Sequence, residues 1–167
     1  SKSNVWRANV EQIKRRLHVF NGQRMIAVST GEGLAEPDEV VEAFGGEEVA
    51  RFLYFENSRV ERERKTFLPL MEAVTSTDPN EATFYAHAKG VTTVGDDEAV
   101  MYWRNGMYHV LLDQMPVVSR LLNEFPFVGT HKLRRKTTYP DGTTTSLWHF
   151  SGTYWWFRNR DVFSIQN

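Results

Sequence analysis

Short apolar runs that take turns with amphipathic helical segments predict an α/β fold: a mostly parallel sheet flanked by helices, with an antiparallel strand pair at its C-terminal end. Three observations carry that expectation. Apolar stretches such as "RMIAVST" and "ATFYAHAKG" are separated by segments of helical period, the signature of parallel strands joined by crossovers. Their ends run into small polar residues. The stretch from Phe125 to Asn159 is rich in Thr, Tyr and Trp, with Pro140-Asp141-Gly142 as a turn and no helical period before Arg160, so it reads as a hairpin or strand-loop-strand. With 167 residues, 41% of them hydrophobic, the chain suffices for one core and is short for two, so residues 1–167 read as a single domain.

The elements follow in order. Asn4 precedes "VWRANVEQIKRRLHVF", where Val5, Ala8, Val10, Ile13, Leu17 and Phe20 recur near helical spacing until Asn21-Gly22 stops the helix. The strand "RMIAVST" ends in the turn "GEG". A second helix, "EPDEVVEAFGG", opens with proline and acids and closes in glycines, as helix ends prefer. "ARFLYFENS" is the next strand, leaving through Asn57 and Ser58. "RERKTFLPLMEAVTST" is helical, with Pro69 near its start or at a kink. After the strand "ATFYAHAKG" comes "DDEAVMYWRNGMYHVLLDQMPVVSRLLNEF", a long helical segment that Pro116 divides.

Charge and composition exclude several function classes. Twenty basic against twenty-one acidic side chains leave a net charge of −1, so no global field attracts nucleic acid or an anionic membrane, and any anion site must be local. The absence of cysteine removes disulfides and thiolate ligands and leans towards a cytoplasmic setting. No segment approaches the roughly 20 apolar residues of a membrane span. The start at Ser1 leaves room for a longer parent chain.

Ligands of open α/β sheets sit beyond the carboxyl ends of the strands. Five small, polar exits are candidates here: Ser29-Thr30-Gly31, Glu56-Asn57-Ser58, His87-Lys89-Gly90, Gly129-Thr130-His131 and His149-Ser151-Gly152. Five in so short a chain predict one shared cleft. Each also has a plainer reading. Gly31-Glu32-Gly33 lacks the third glycine of a dinucleotide fingerprint, Glu36 standing in its place, and no Walker lysine follows, so a simple turn is favoured. His87 and Lys89 are two apart and share one side of an extended chain. They are either a core histidine with a solvated lysine, or an anion site in which the ammonium and the backbone at Gly90 meet a phosphate. The basic run "THKLRRK", with Lys132, Arg134, Arg135 and Lys136, is either a solvated face or a phosphate-facing patch. Five scattered histidines give no metal pairing, and Asp96-Asp97-Glu98 suits an acidic helix start, so no metal ligands are assigned. No nucleophile elbow is present. In "LWHFSGTYWWF", Trp155 and Trp156 serve either the core or a stacked ring.

"FYAHAKGV", "VMYWRNGMYHVLL", "FVGTH" and "WHFSGTYWWFRN" together resemble a glycosyltransferase-like family of bacterial and viral proteins, of the GT-A or nucleotide-diphospho-sugar transferase type. The matching positions are Tyr85, His87, Lys89, Gly90, Trp103, Met107, Gly129, Ser151, Gly152, Trp155 and Trp156, in order over roughly residues 4–162. The resemblance implies a GT-A-like, Rossmann-like sheet and transfer of a sugar from a nucleotide-sugar donor to a carbohydrate or glycan acceptor. It implies Lys89 and Arg134 against the leaving diphosphate, His87 positioning it and Trp155 or Trp156 stacking a ring. Asp97, among Asp96, Asp97 and Glu98, would be the acceptor base, and Thr30, Asn57, Gly90, His149, Ser151 and Gly152 would line the substrate. The chain departs from the type in one respect. Where an Asp-x-Asp would hold Mn²⁺ or Mg²⁺, His87-Ala88-Lys89 stands, so no cofactor is firmly implied and these two ions are the only candidates. A non-catalytic carbohydrate- or protein-binding module on the same fold is the alternative.

Overall fold

Local chemistry sets the element boundaries. The structure is a computed structural model that describes residues 5–58, 60–61, 64–88, 98–133, 138, 142, 149–150 and 152–164. The chain divides into two compact units, Ser1–Ser76 with Ala88–Met101, and Thr77–His87 with Tyr102–Asn167.

In the first unit, helix α1 (Val5–Lys14) stops six residues before Phe20, the end expected for it. A 3-10 turn, Leu17–Val19, follows, because two guanidiniums take up carbonyls there. Arg16 donates to the Gln12 carbonyl at 2.9 Å, and Arg24 donates to those of Phe20 at 2.7 Å and Val49 at 3.3 Å. Strands β1 (Met25–Thr30) and β2 (Arg51–Glu56) are parallel, in register from Met25 opposite Arg51 to Thr30 opposite Glu56. A parallel pair needs a crossover, and helix α2 (Pro37–Phe44) supplies it. Pro37 opens α2, and Asp38 and Glu39 occupy its first turn. Gly45 closes it at φ 103°, returning its N–H to the carbonyls of Val41 and Glu42. Helix α3 (Arg64–Ala73) packs on β1, as α2 does, and Pro69 lies inside α3, where it removes one backbone hydrogen bond.

The second unit holds strand β3 (Ala82–Tyr85), helix α4 (Glu98–Tyr108) from Tyr102 onward, and helix α5 (Met115–Glu124). Pro116 sits at the start of α5, as expected of a divider, and a π-helical turn, His109–Asp113, precedes it. Then come β4 (Phe127–Gly129), β5 (Lys132–Leu133), β6 (His149–Phe150), β7 (Trp155–Arg158) and helix α6 (Asn159–Phe163). Met107, Tyr108, Leu111, Leu112, Tyr154 and Phe157 are almost fully buried and form the core of this unit.

The α/β character holds, but the single, mostly parallel sheet expected from the sequence is not what forms. Among the described residues there are three small sheets, with one parallel pairing, β1 with β2, and three antiparallel ones. The reason is the place of β7. It lies between β3 and β4 and runs against both, so these two strands, which run the same way, never pair directly. The appended antiparallel pair is found as β5 with β6. Among the described residues no helix is long and apolar enough to cross a membrane.

One buried hydrogen bond ties sheet to helix. The indole N–H of Trp156 donates to the carbonyl of Leu111 at 2.8 Å, inside the π turn, where the regular helical bonding pattern is interrupted. Trp156→Phe keeps an aromatic ring but leaves that carbonyl without its donor. We expect a loss of about 1–3 kcal/mol from the unsatisfied acceptor alone, before any packing loss, read by urea denaturation.

Candidate functional site

The strand exits gather at two places, one in each unit. In the first unit, the parallel pair ends at Thr30 and Glu56, and the backbone N–H of Asn57 donates to the Thr30 carbonyl at 2.9 Å. A cavity of about 550 Å³ opens there, lined by Thr30, Gly31, Glu32, Gly33, Glu56 and Asn57. Parallel strands end together, so their exit loops surround one space, and the volume suits a small organic ligand. Thr30 and Asn57, chosen from the sequence, therefore do share a cleft. The loop Gly31-Glu32-Gly33, taken as a plain turn, is part of its wall. Glu56, named with Asn57 and Ser58 as a candidate strand exit but given no role against a ligand, is also part of the wall.

In the second unit, register brings three exits to one edge. Tyr85 of β3 and Gly129 of β4 both lie opposite Trp155 of β7, so His87, Thr130-His131 and Gly152-Thr153 all leave the sheet on the same side. His87 Nε2 is 3.2 Å from the Gly152 carbonyl, and the Tyr154 hydroxyl donates to the His87 carbonyl at 2.9 Å. Facing that carbonyl, Nε2 acts as the donor. Gly152 is at φ 97°, and a Cβ built there would lie 2.5 Å from Met107 Sδ and 3.1 Å from Trp103 Cζ2. Among the described residues, His131 (φ 51°) and Thr153 (φ 61°) are the non-glycine residues with left-handed backbone, a conformation that costs about 1–2 kcal/mol each. Thr130 is buried, and its hydroxyl has no hydrogen-bond partner among the described residues.

The remaining candidates sort themselves. Trp156 is a core residue, bonded to Leu111 and tilted against Phe84. Trp155 is half-buried and stacks on Tyr85, with ring centroids 5.2 Å apart and planes at 29°. Of the two helix positions that carry the resemblance, Met107 is fully buried and Trp103 half-buried, its ring edge-on to His131. Of His149 the structure describes the backbone, paired to Leu133. Lys89, Gly90, Asp96, Asp97, Arg134 and Ser151 lie outside the described residues. Glu98 is exposed in the first turn of α4. Among the described residues, no group of three or more His, Asp or Glu side chains could hold a metal ion.

Comparison with protein families, curated proteins and solved structures gave no match. The geometry of the two edges is therefore what bears on function.

Two glycines distinguish close packing from mere flexibility. Gly152→Ala brings both a left-handed φ and a collision with Met107 and Trp103, and should cost about 2–4 kcal/mol. Gly106→Ala, in helix α4 with nothing within 4 Å of the new methyl, should stabilise by about 0.5–1 kcal/mol. Paired thermal melts of the two variants read the difference.

Proposed function

We propose that the chain is a GT-A-like glycosyltransferase domain that binds a nucleotide-diphosphate sugar and transfers the sugar to a carbohydrate or glycan acceptor. The observation that carries the reading is the cleft at the carboxyl ends of β1 and β2, lined by polar side chains and a double-glycine loop. That is where open α/β sheets hold nucleotide ligands. In this reading Thr30 and Asn57 contact the donor, and Lys89 and Arg134 balance the charge of the leaving diphosphate. His87, anchored on Gly152, holds the β3 exit from which Lys89 follows two residues on. Asp97 removes the acceptor proton. A diphosphate entering a low-dielectric site must have its charge met, and lysine and arginine meet it without a metal. Should a divalent ion take part, Glu32 and Glu56 are the oxygen ligands in the cleft, the type that Mg²⁺ and Mn²⁺ accept.

A second reading has its own support. His87, Trp155 and Trp156 are all engaged in internal contacts, which suits a module that keeps the fold and binds a carbohydrate without turnover.

Calorimetry with UDP and GDP, first in EDTA and then with Mn²⁺, decides between them together with an assay of donor-sugar hydrolysis. We expect one nucleotide to bind in EDTA, Lys89→Ala to weaken it at least tenfold, about 1.4 kcal/mol, and the sugar donor to be consumed. Binding that needs Mn²⁺ and ignores Lys89 overturns the metal-free arrangement. Carbohydrate binding with no donor consumption supports the module, and the transferase falls if neither nucleotide binds.

A further inference from the structure

We infer that the exposed side of helix α5 and the apolar groove beside it form an interface with a second copy of this chain, the two α5 helices lying antiparallel across a two-fold axis. The inference is independent of the transferase reading.

Helix α5 carries two apolar stripes. Val118 and Leu122 are buried and hold it in the core of its unit. Val117 and Leu121, with Phe125 at the C-cap, recur every four residues and make a second stripe beside the first, and Val117 is 43% and Phe125 52% exposed. That stripe runs into a cavity of about 330 Å³ whose wall includes Leu121, Phe125, Phe127 and Phe150, and Phe127 is itself 41% exposed. A continuous apolar surface of this kind marks a contact. The charges beside it select the occupant. Arg120 and Glu124, both exposed, lie along the outer margin of the stripe, with the cation four residues ahead of the anion, the less favourable order for a pair within one helix. A two-fold axis between antiparallel helices meets both at once: Arg120 faces Glu124 of the second copy, Glu124 faces its Arg120, and Val117 at one end of the stripe comes over Phe125 at the other. The patch is thus complementary to itself. An anionic membrane or an acidic partner would be met by cations alone, and Glu124 opposes either. A fatty-acid chain in the groove with its carboxylate at Lys132 is the rival occupant, but it gives no role to Val117 or to the charges of the outer margin.

Sedimentation velocity on the full chain reads the oligomeric state. We expect a dimer with a dissociation constant on the order of micromolar. Val117→Asp and Phe125→Asp, at exposed positions, should each weaken it by about tenfold or more with helix content by circular dichroism unchanged. Arg120→Glu and Glu124→Arg should each weaken it too, and the double variant R120E/E124R should return it to the parent's affinity, because the swap re-forms both pairs. A chain still monomeric at about 0.1 mM overturns the inference. So do a dimer indifferent to Phe125→Asp and a double variant no better than the single ones. If decanoate or phosphatidylserine vesicles bind the monomer and Phe125→Asp abolishes that binding, the face belongs to a fatty acid or a membrane and the inference is wrong.

Discussion

The C-terminal unit depends on one backbone arrangement, the pairing of β7 with β3 on one side and β4 on the other. Its ladder fixes Trp155 between Tyr85 and Gly129, and from that register the rest follows. Because side chains alternate along a strand, setting Trp155 against the ring of Tyr85 sends Trp156 to the other face, where its indole reaches Leu111. Phe157 then turns back, and its ring meets Phe127 and Phe163. A slip of one residue would exchange the faces of all three aromatics, leaving an indole N–H without its acceptor and a carbonyl without its donor.

That register also gives a physical meaning to the motifs that carry the family resemblance. Tyr85, His87, Trp103, Met107, Gly129, Gly152, Trp155 and Trp156 are far apart in sequence, yet they meet around the entry to β7. Gly152 is the closest point. Its carbonyl receives His87, and its missing side chain leaves space for Met107 and Trp103. At Gly129 the Phe150 ring leaves no space for a Cβ either, 2.5 Å from where one would stand. Much of the motif therefore answers to packing. A fold can retain such a network whatever chemistry it hosts, so the motif speaks more directly to architecture than to reaction.

How much of this was legible in the sequence depends on the range of the interaction concerned. Local signals were sound: Pro37 and Gly45 bracket α2, and Pro116 opens α5 after the long helical segment breaks. Where a distant group intervenes, local signals fail. The first helix gives way to a 3-10 turn whose cap carbonyl, that of Phe20, accepts from Arg24 beyond it, and no period within residues 5–20 reveals that partner. Strand order is likewise non-local. Apolar runs between helices suggested parallel neighbours, yet a late strand took the place between β3 and β4, and nothing in its own pattern says so. The π turn at His109–Asp113 follows a continuous helical pattern and is equally silent. In the cleft, Thr30 and Asn57 were found from the rule that strands exit together. Glu56 was named with that exit but given no role, and Glu32 was read as part of a plain turn, because an acid at a strand end has no local signal that separates a cleft wall from a solvated loop.

The two acids of the cleft wall have an electrostatic consequence. The chain is nearly neutral, so long-range steering of a nucleotide sugar towards it is weak, and at the β1–β2 cleft the near field of Glu32 and Glu56 opposes an anion. A nucleotide sugar carries charge at its diphosphate and hydroxyls at both ends. For the donor proposed above, the diphosphate is the part that these two carboxylates disfavour and a hydroxyl-bearing ring the part they tolerate, because a carboxylate accepts a hydroxyl proton and repels a phosphate.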